Sequence, residues 1–171
     1  MRLREKKLSF TGDDFDITTP DERLLFMVKG KILSLRSRKL LCDAEGQPIL
    51  NIQDKLLTLF KQFRIYAGES EGPKICHVKH HFTILGSELS VHFKNFDGRE
   101  VELFVKGSFL TKHAEIYAGN IIVAQIRRKF MNVGQVFFDK QTYYLTVAPG
   151  VDTAMMAAVC VCLDEAVNDK N

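Results

Sequence analysis

Residues 143–167 read YYLTVAPGVDTAMMAAVCVCLDEAV, and within them 154–163 is the only run of ten consecutive apolar residues in the chain. The run is too short to cross a bilayer, which takes about 18 or more apolar residues. It suits a helix, and a helix that is apolar all round must be buried all round. Asp152 is placed to start it, because its carboxylate can accept from the free N–H groups of the first turn. Val151 and Met156 then hold the two positions of a hydrophobic staple. Pro149-Gly150 turns the corner from a strand at 143–147. A helix over 153–167 is about 22 Å long at 1.5 Å per residue. A five- or six-residue strand spans roughly 17–20 Å, a close match. Ala154, Ala157 and Ala158 keep the helix thin, while Met155, Met156, Val159 and Leu163 fill the space around it. The stretch predicts a β-sheet wrapped around a buried helix. Asp164 and Glu165 oppose the macrodipole at its C-terminal end, so each calls for a cationic or N–H partner.

The rest of the chain reads as strands. Short apolar runs at 7–10, 15–18, 24–28, 32–35, 39–42 and 49–52 are separated by turn-rich segments such as Thr11-Gly12-Asp13-Asp14 and Thr19-Pro20-Asp21-Glu22. Residues 55–66, KLLTLFKQFRIY, fit either a helix face or strands, and their strand neighbours favour strands. Residues 75–85 alternate with period 2, the mark of a half-buried strand. Asp97-Gly98 is a hairpin signal between 93–96 and 101–105. Further strands are expected at 121–126, 136–138 and 143–147. Turn signals every 8–12 residues indicate an all-β barrel or sandwich. Val28-Lys29-Gly30 recurs as Val105-Lys106-Gly107, and both copies lead through a Gly turn to a strand ending at Ile52 or Ile126. One domain over 1–171 is expected, with an internal duplication of a β-meander.

Composition narrows the function classes. Net charge is only +3, from 24 Lys and Arg against 21 Asp and Glu. A nucleic-acid footprint is more basic and more clustered, so no nucleic acid is expected. Cys42, Cys76, Cys160 and Cys162 match neither a zinc site nor a disulfide framework, and read as reduced thiols of an intracellular protein. Residues 1–10 are basic but lack the apolar core of a signal peptide. A cytoplasmic protein is expected.

Candidate chemistry is sparse. Cys76, His77, His80 and His81 suggest a metal cluster, but a strand sends Cys76 and His80 to one face and His77 and His81 to the other. No phosphate-binding, zinc-protease or nucleophile motif occurs. Neither an enzyme nor a cofactor is expected. The densest basic patches are Arg127, Arg128 and Lys129, with Arg36, Arg38 and Lys39. Such cations can bind phosphate headgroups, each worth about 1 kcal/mol near an anionic surface.

The chain resembles the LURP-one-related family of the tubby C-terminal-like superfamily. The likeness is carried by 8–17 (LSFTGDDFDI), 24–35, 40–59 (with DAEGQPI), 102–107 (ELFVKG) and 142–165 (with PGVD and the apolar helix). The family commonly places a Gly in its second turn, where this chain has Asp21-Glu22-Arg23. The resemblance implies a closed antiparallel barrel of about 12 strands around a buried hydrophobic C-terminal helix. It also implies a non-catalytic binding or adaptor domain. Tubby relatives bind phosphoinositides at membranes, and scramblases share the fold. The expected partner is thus an anionic phospholipid or phosphoinositide membrane surface, with peripheral attachment. The alternative is a protein-interaction or structural barrel without a lipid ligand. A helix in the lumen leaves no room for cargo, so function is expected on the outer surface.

Overall fold

The apolar run is helical and lies inside the sheet. In this computed structural model the residues described are 1–5, 14–31, 38–55, 57–83, 86–108, 113–128 and 142–168. Helix α1 (Thr153–Asn168) follows twelve strands: β1 (Arg2–Glu5), β2 (Phe15–Thr18), β3 (Leu24–Lys31), β4 (Arg38–Asp43), β5 (Pro48–Asp54), β6 (Gln62–Ala67), β7 (Lys74–Thr83), β8 (Gly86–Lys94), β9 (Glu100–Ser108), β10 (His113–Ala118), β11 (Ile121–Arg128) and β12 (Thr142–Val147). Each strand pairs antiparallel with its sequence neighbours, and β1 also pairs with β12, which closes the barrel. Closure leaves no sheet edge exposed.

Strand alternation sends one set of side chains into the lumen. Ile17, Leu41, Ile65, Val78, Leu89 and Ile116 are fully buried there. They pack with the helix residues Met156, Ala157, Ala158, Val159, Val161 and Leu163, all buried. The helix touches β5, β7, β8 and β12, so it is walled on several sides. Its start is as the sequence predicts: the Met155 N–H donates to Asp152 Oδ1 at 3.0 Å, and the Met156 N–H to the Asp152 carbonyl at 3.1 Å.

Because every connection is a hairpin, the turns alternate between two ends. The turn end carries 19–23, 44–47, 68–73, 95–99, 119–120 and the 148–152 corner into α1. The helix-exit end carries the β5–β6 connection and the C-terminus of α1. The two VKG copies sit on β3 and β9, opposite one another in the ring of strands. Their registers match: Val28 faces Leu41 and Leu41 faces Leu50, while Val105 faces Ile116 and Ile116 faces Ala124. A β-bulge follows Leu41 in one copy and Ile116 in the other.

Three expectations need revision. Residues 55–66 are not strand throughout, since β6 begins only at Gln62. Leu57, Leu59 and Phe60 belong to the β5–β6 connection and are exposed, so no inward face exists for them to fill. The strand expected at 24–28 continues through Lys29-Gly30-Lys31 as β3 rather than breaking there. The first strand is Arg2–Glu5, missed because it is too short and too charged to show a pattern. The strands expected at 7–10 and 136–138 and the apolar run 32–35 lie outside the described residues.

The helix does not fill the lumen to its mouth. At the turn end a cavity of ≈ 720 Å³ opens between Phe93, Val101, Leu103 and Val123 of the wall and Val151 and Met155 at the start of α1.

Candidate functional site

The basic residues singled out in the sequence separate in space. Arg38 and Lys39 are adjacent on β4 but face opposite ways. Lys39 points inward, is 4% exposed, and pairs with Glu165 on α1. Arg38 points outward, where its Nε donates to Asn51 Oδ1 at 3.1 Å and its Nη2 to the Glu69 carbonyl. Arg127 is exposed on the outer face of β11, separated from β4 by β3, β2, β1 and β12. Arg128 ends β11, while Arg36 and Lys129 lie outside the described residues. Among the described residues, Arg38, Lys39 and Arg127 therefore do not form one patch.

A different set of cations does come together. Strand register aligns Arg38, Gln53, Arg64, His77 and His92 in a continuous outer row across β4, β5, β6, β7 and β8. The next row toward the helix-exit end holds Gln62, Lys79 and Ser90. Lys55 adjoins it: Lys55 Nζ donates to Gln62 Oε1 at 3.4 Å, and His77 Nε2 lies 3.2 Å from the same oxygen. An amide oxygen only accepts, so neutral His77 carries its proton on Nε2.

The electrostatics of this face show in His77. Partial burial, then Lys74, Lys79, His92 and Lys55, push its pKa down to about 4. A neutral imidazole at ordinary pH is the response expected of a histidine in a field of cations. Beside it, Ser90 Oγ is 2.8 Å from His81 Nε2 and 3.1 Å from His92 Nε2. One hydroxyl hydrogen serves one of these contacts, so the other imidazole must donate. His92 also reaches Glu102 at 3.5 Å, which marks the acidic edge of the strip. The face thus runs from cationic at β4–β7 to mixed at β8–β9.

Sequence reading separated the faces of β7 correctly: Cys76 and His80 are buried inward, and His77 and His81 lie outside. It missed Arg64, Lys55 and Lys79 as members of one surface. The available signal was the polar phase of 75–85. Register across three strands was needed to bring Arg64 and Lys55 to it. The four cysteines are all buried thiols, and burial pushes Cys76 up to about 12 and Cys162 well above its ordinary value.

The helix acids have their partners. Asp164 accepts from the Tyr143 hydroxyl at 2.5 Å. Glu165 takes Lys39, with Lys61 Nζ at 3.9 Å. Lys61 also donates to the Glu165 carbonyl at 3.2 Å and lies 3.7 Å from Asp54. A cation on a last-turn carbonyl offsets the dipole that the acids oppose.

The model of the LURP-one-related family matches residues 1–164. The chain belongs to the LURP-one-related family. Among similar proteins of Arabidopsis thaliana, Protein LURP-one-related 15 is 32% identical, covering 96% of this chain and 78% of the relative. Protein LURP1 is also 32% identical, over 96% of this chain and 82% of the relative. The uncharacterized protein YxjI of Bacillus subtilis is 23% identical over 95% of this chain and 90% of its own length. An X-ray structure of an Arabidopsis thaliana protein matches with a TM-score of 0.68 and 26% identity, over 96% of this chain and 89% of that one. This LURP-one-related chain has the closed barrel and inner helix that the sequence resemblance implied. Among the described residues, no helix is long and apolar enough to cross a membrane.

Proposed function

We propose that this LURP-one-related protein is a non-catalytic binding domain that docks on anionic, phosphoinositide-containing membranes through the outer face of β4–β8. The observation that carries the reading is the outer row that sets Arg64, Lys55 and Lys79 beside His77, with Arg38 farther along it. Burial, then Lys74, Lys79, His92 and Lys55, depress the His77 pKa. A phosphate group there would meet several cations at once and would not have to rearrange them. Multivalent contact of this kind raises affinity for a bisphosphorylated headgroup over a singly charged lipid. The tubby-like resemblance points the same way.

The test is vesicle co-sedimentation with and without a phosphoinositide at low and high salt. Binding should require the anionic lipid and weaken as salt screens the charges. Arg64→Glu with Lys79→Glu should weaken it at least tenfold, whereas Arg127→Glu with Arg128→Glu should change it little. Salt-insensitive binding, or none, would end this reading. Loss of binding only on changing Arg127 and Arg128 would move the site to β11.

The cavity at the turn end favours a second reading, a protein-interaction barrel. Phe96, 98% exposed, stands among its lining residues and could anchor an apolar side chain of a partner.

A further inference from the structure

The β5–β6 connection breaks two rules at one residue. Leu57 is fully exposed and has φ of 60°, the left-handed region that a branched side chain rarely adopts. Leu59, two residues on, is 90% exposed, and Phe60 is 43% exposed. For the isolated protein this arrangement is unfavourable twice, through backbone strain and through apolar surface left in water. Strain and exposure meet at Leu57, and their coincidence at one residue points to a function.

The position of the loop says what would bury it. It sits at the helix-exit end, where Lys61 ties its base to Asp54 and Glu165. Its other base is Lys55, which is joined through Gln62 to the cationic outer face. An apolar tip that follows Lys55, at the edge of a basic strip, is complementary to one surface: an anionic bilayer, with headgroups over an apolar interior. A protruding tip of separate side chains also needs no matching pocket when it enters lipid. A folded protein partner would have to supply one.

We infer that the loop 57–60 is a membrane-insertion element, which sinks Leu57 and Leu59 below the headgroups while the β4–β8 face engages the lipid phosphates. This deepens the membrane reading above and rests on it. The two interactions are separable: charge brings the protein to the surface, and the loop sets how deep it sits and how slowly it leaves.

The chain contains no Trp, so Leu59→Trp provides a single indole at the tip. The probe is vesicles of four parts phosphatidylcholine to one part phosphatidylserine with a little phosphatidylinositol bisphosphate. Insertion predicts a blue-shifted indole emission on adding vesicles, and quenching by lipids brominated on the acyl chain. Leu57→Gly in the wild-type background should weaken vesicle binding at least tenfold while raising the denaturation midpoint, since it removes the strained leucine. Vesicle binding with an indole that stays in water would overturn insertion and leave the basic face standing. Failure of the wild-type protein to bind these vesicles would overturn both. Leu57→Gly that binds lipid as well as wild type would also overturn insertion.

Discussion

Lys39 on the inner face of β4 is ion-paired with Glu165 in the last turns of α1, and the lysine is almost completely buried. The contact joins residues 126 apart in the chain. Lys39 also lies 5.7 Å from the centre of the Phe15 ring, and Lys61 the same distance from that of Phe63. Charges taken out of water are tolerable only when paired, and such a pair punishes the loss of either partner. This pair therefore fixes how the helix is seated in the barrel more than it adds to net stability.

Removing one charge should show this. Among the described residues, Lys39→Met leaves Glu165 with Lys61, at 3.9 Å a weaker partner. The expected loss is about 3–5 kcal/mol, at the lower end because Lys61 remains. Lys39→Met combined with Glu165→Leu should recover most of it. Urea unfolding of the wild type, Lys39→Met, Glu165→Leu and the double variant measures the cycle, and additive losses would mean that the two residues are not coupled.

The seat of the helix is tested at Ala158, which has no exposed surface. Ala158→Asp buries a carboxylate within the apolar core cluster, at a penalty of several kcal/mol. Total stability is only about 5–15 kcal/mol, and the carboxylate would also force apart packed walls. Soluble expression should fail. Ala158→Gly adds no volume or charge and should cost about 1 kcal/mol while remaining soluble. A soluble, folded Ala158→Asp protein would mean that the helix is not enclosed.

Gly107 probes the approach of β9 and β10. A Cβ there would sit 2.5 Å from the His113 carbonyl oxygen and 2.6 Å from Ala114 Cα, both backbone atoms. Neither can rotate away, so the two strands must part. Gly107→Ala should lose about 1–3 kcal/mol. Gly72→Ala, with nothing within 4 Å, should stay within about 0.5 kcal/mol of wild type. Thermal melts of both variants provide the comparison, and equal stabilities would refute the close approach.

The helix was the most legible part of the fold, because ten apolar residues with a cap and a corner admit few solutions. The strands that alternate cleanly, such as β7, were legible for the same reason. β1 was not, since Arg2–Glu5 has no period to read. The 55–66 stretch misled because leucine and phenylalanine normally signal burial, and here Leu57 and Leu59 are outside. The candidate site was the least legible. Arg38 could be picked out from local charge density, as could Lys39. Their opposite orientations follow from strand alternation, and only β4 register decides which one faces outward. Arg64 and Lys55 reach His77 only through pairings that sequence spacing does not specify.

His77 turns the proposed site into a pH measurement. Its pKa of about 4 lies below the ordinary value near 6.5. Between those two values the unfolded chain binds a proton that the folded chain refuses. Stability from this group is therefore complete above about pH 6.5 and falls as pH drops toward 4. Burial sets most of the shift, followed by Lys74, Lys79, His92 and Lys55. Arg64 is paired with His77 across the strand, and Glu102 lies beyond His92. His77→Gln should flatten the pH dependence over that window. An anion seated among the cations would reverse the local field and favour the charged imidazole. Adding inositol trisphosphate should then raise the His77 midpoint by about one unit or more, and binding should take up a proton near pH 5. Titration of the imidazole ring protons by NMR, with and without the headgroup, reads this directly. A midpoint that does not move while the headgroup binds would place the anion away from β6–β8, and Arg127 would become the residue to test.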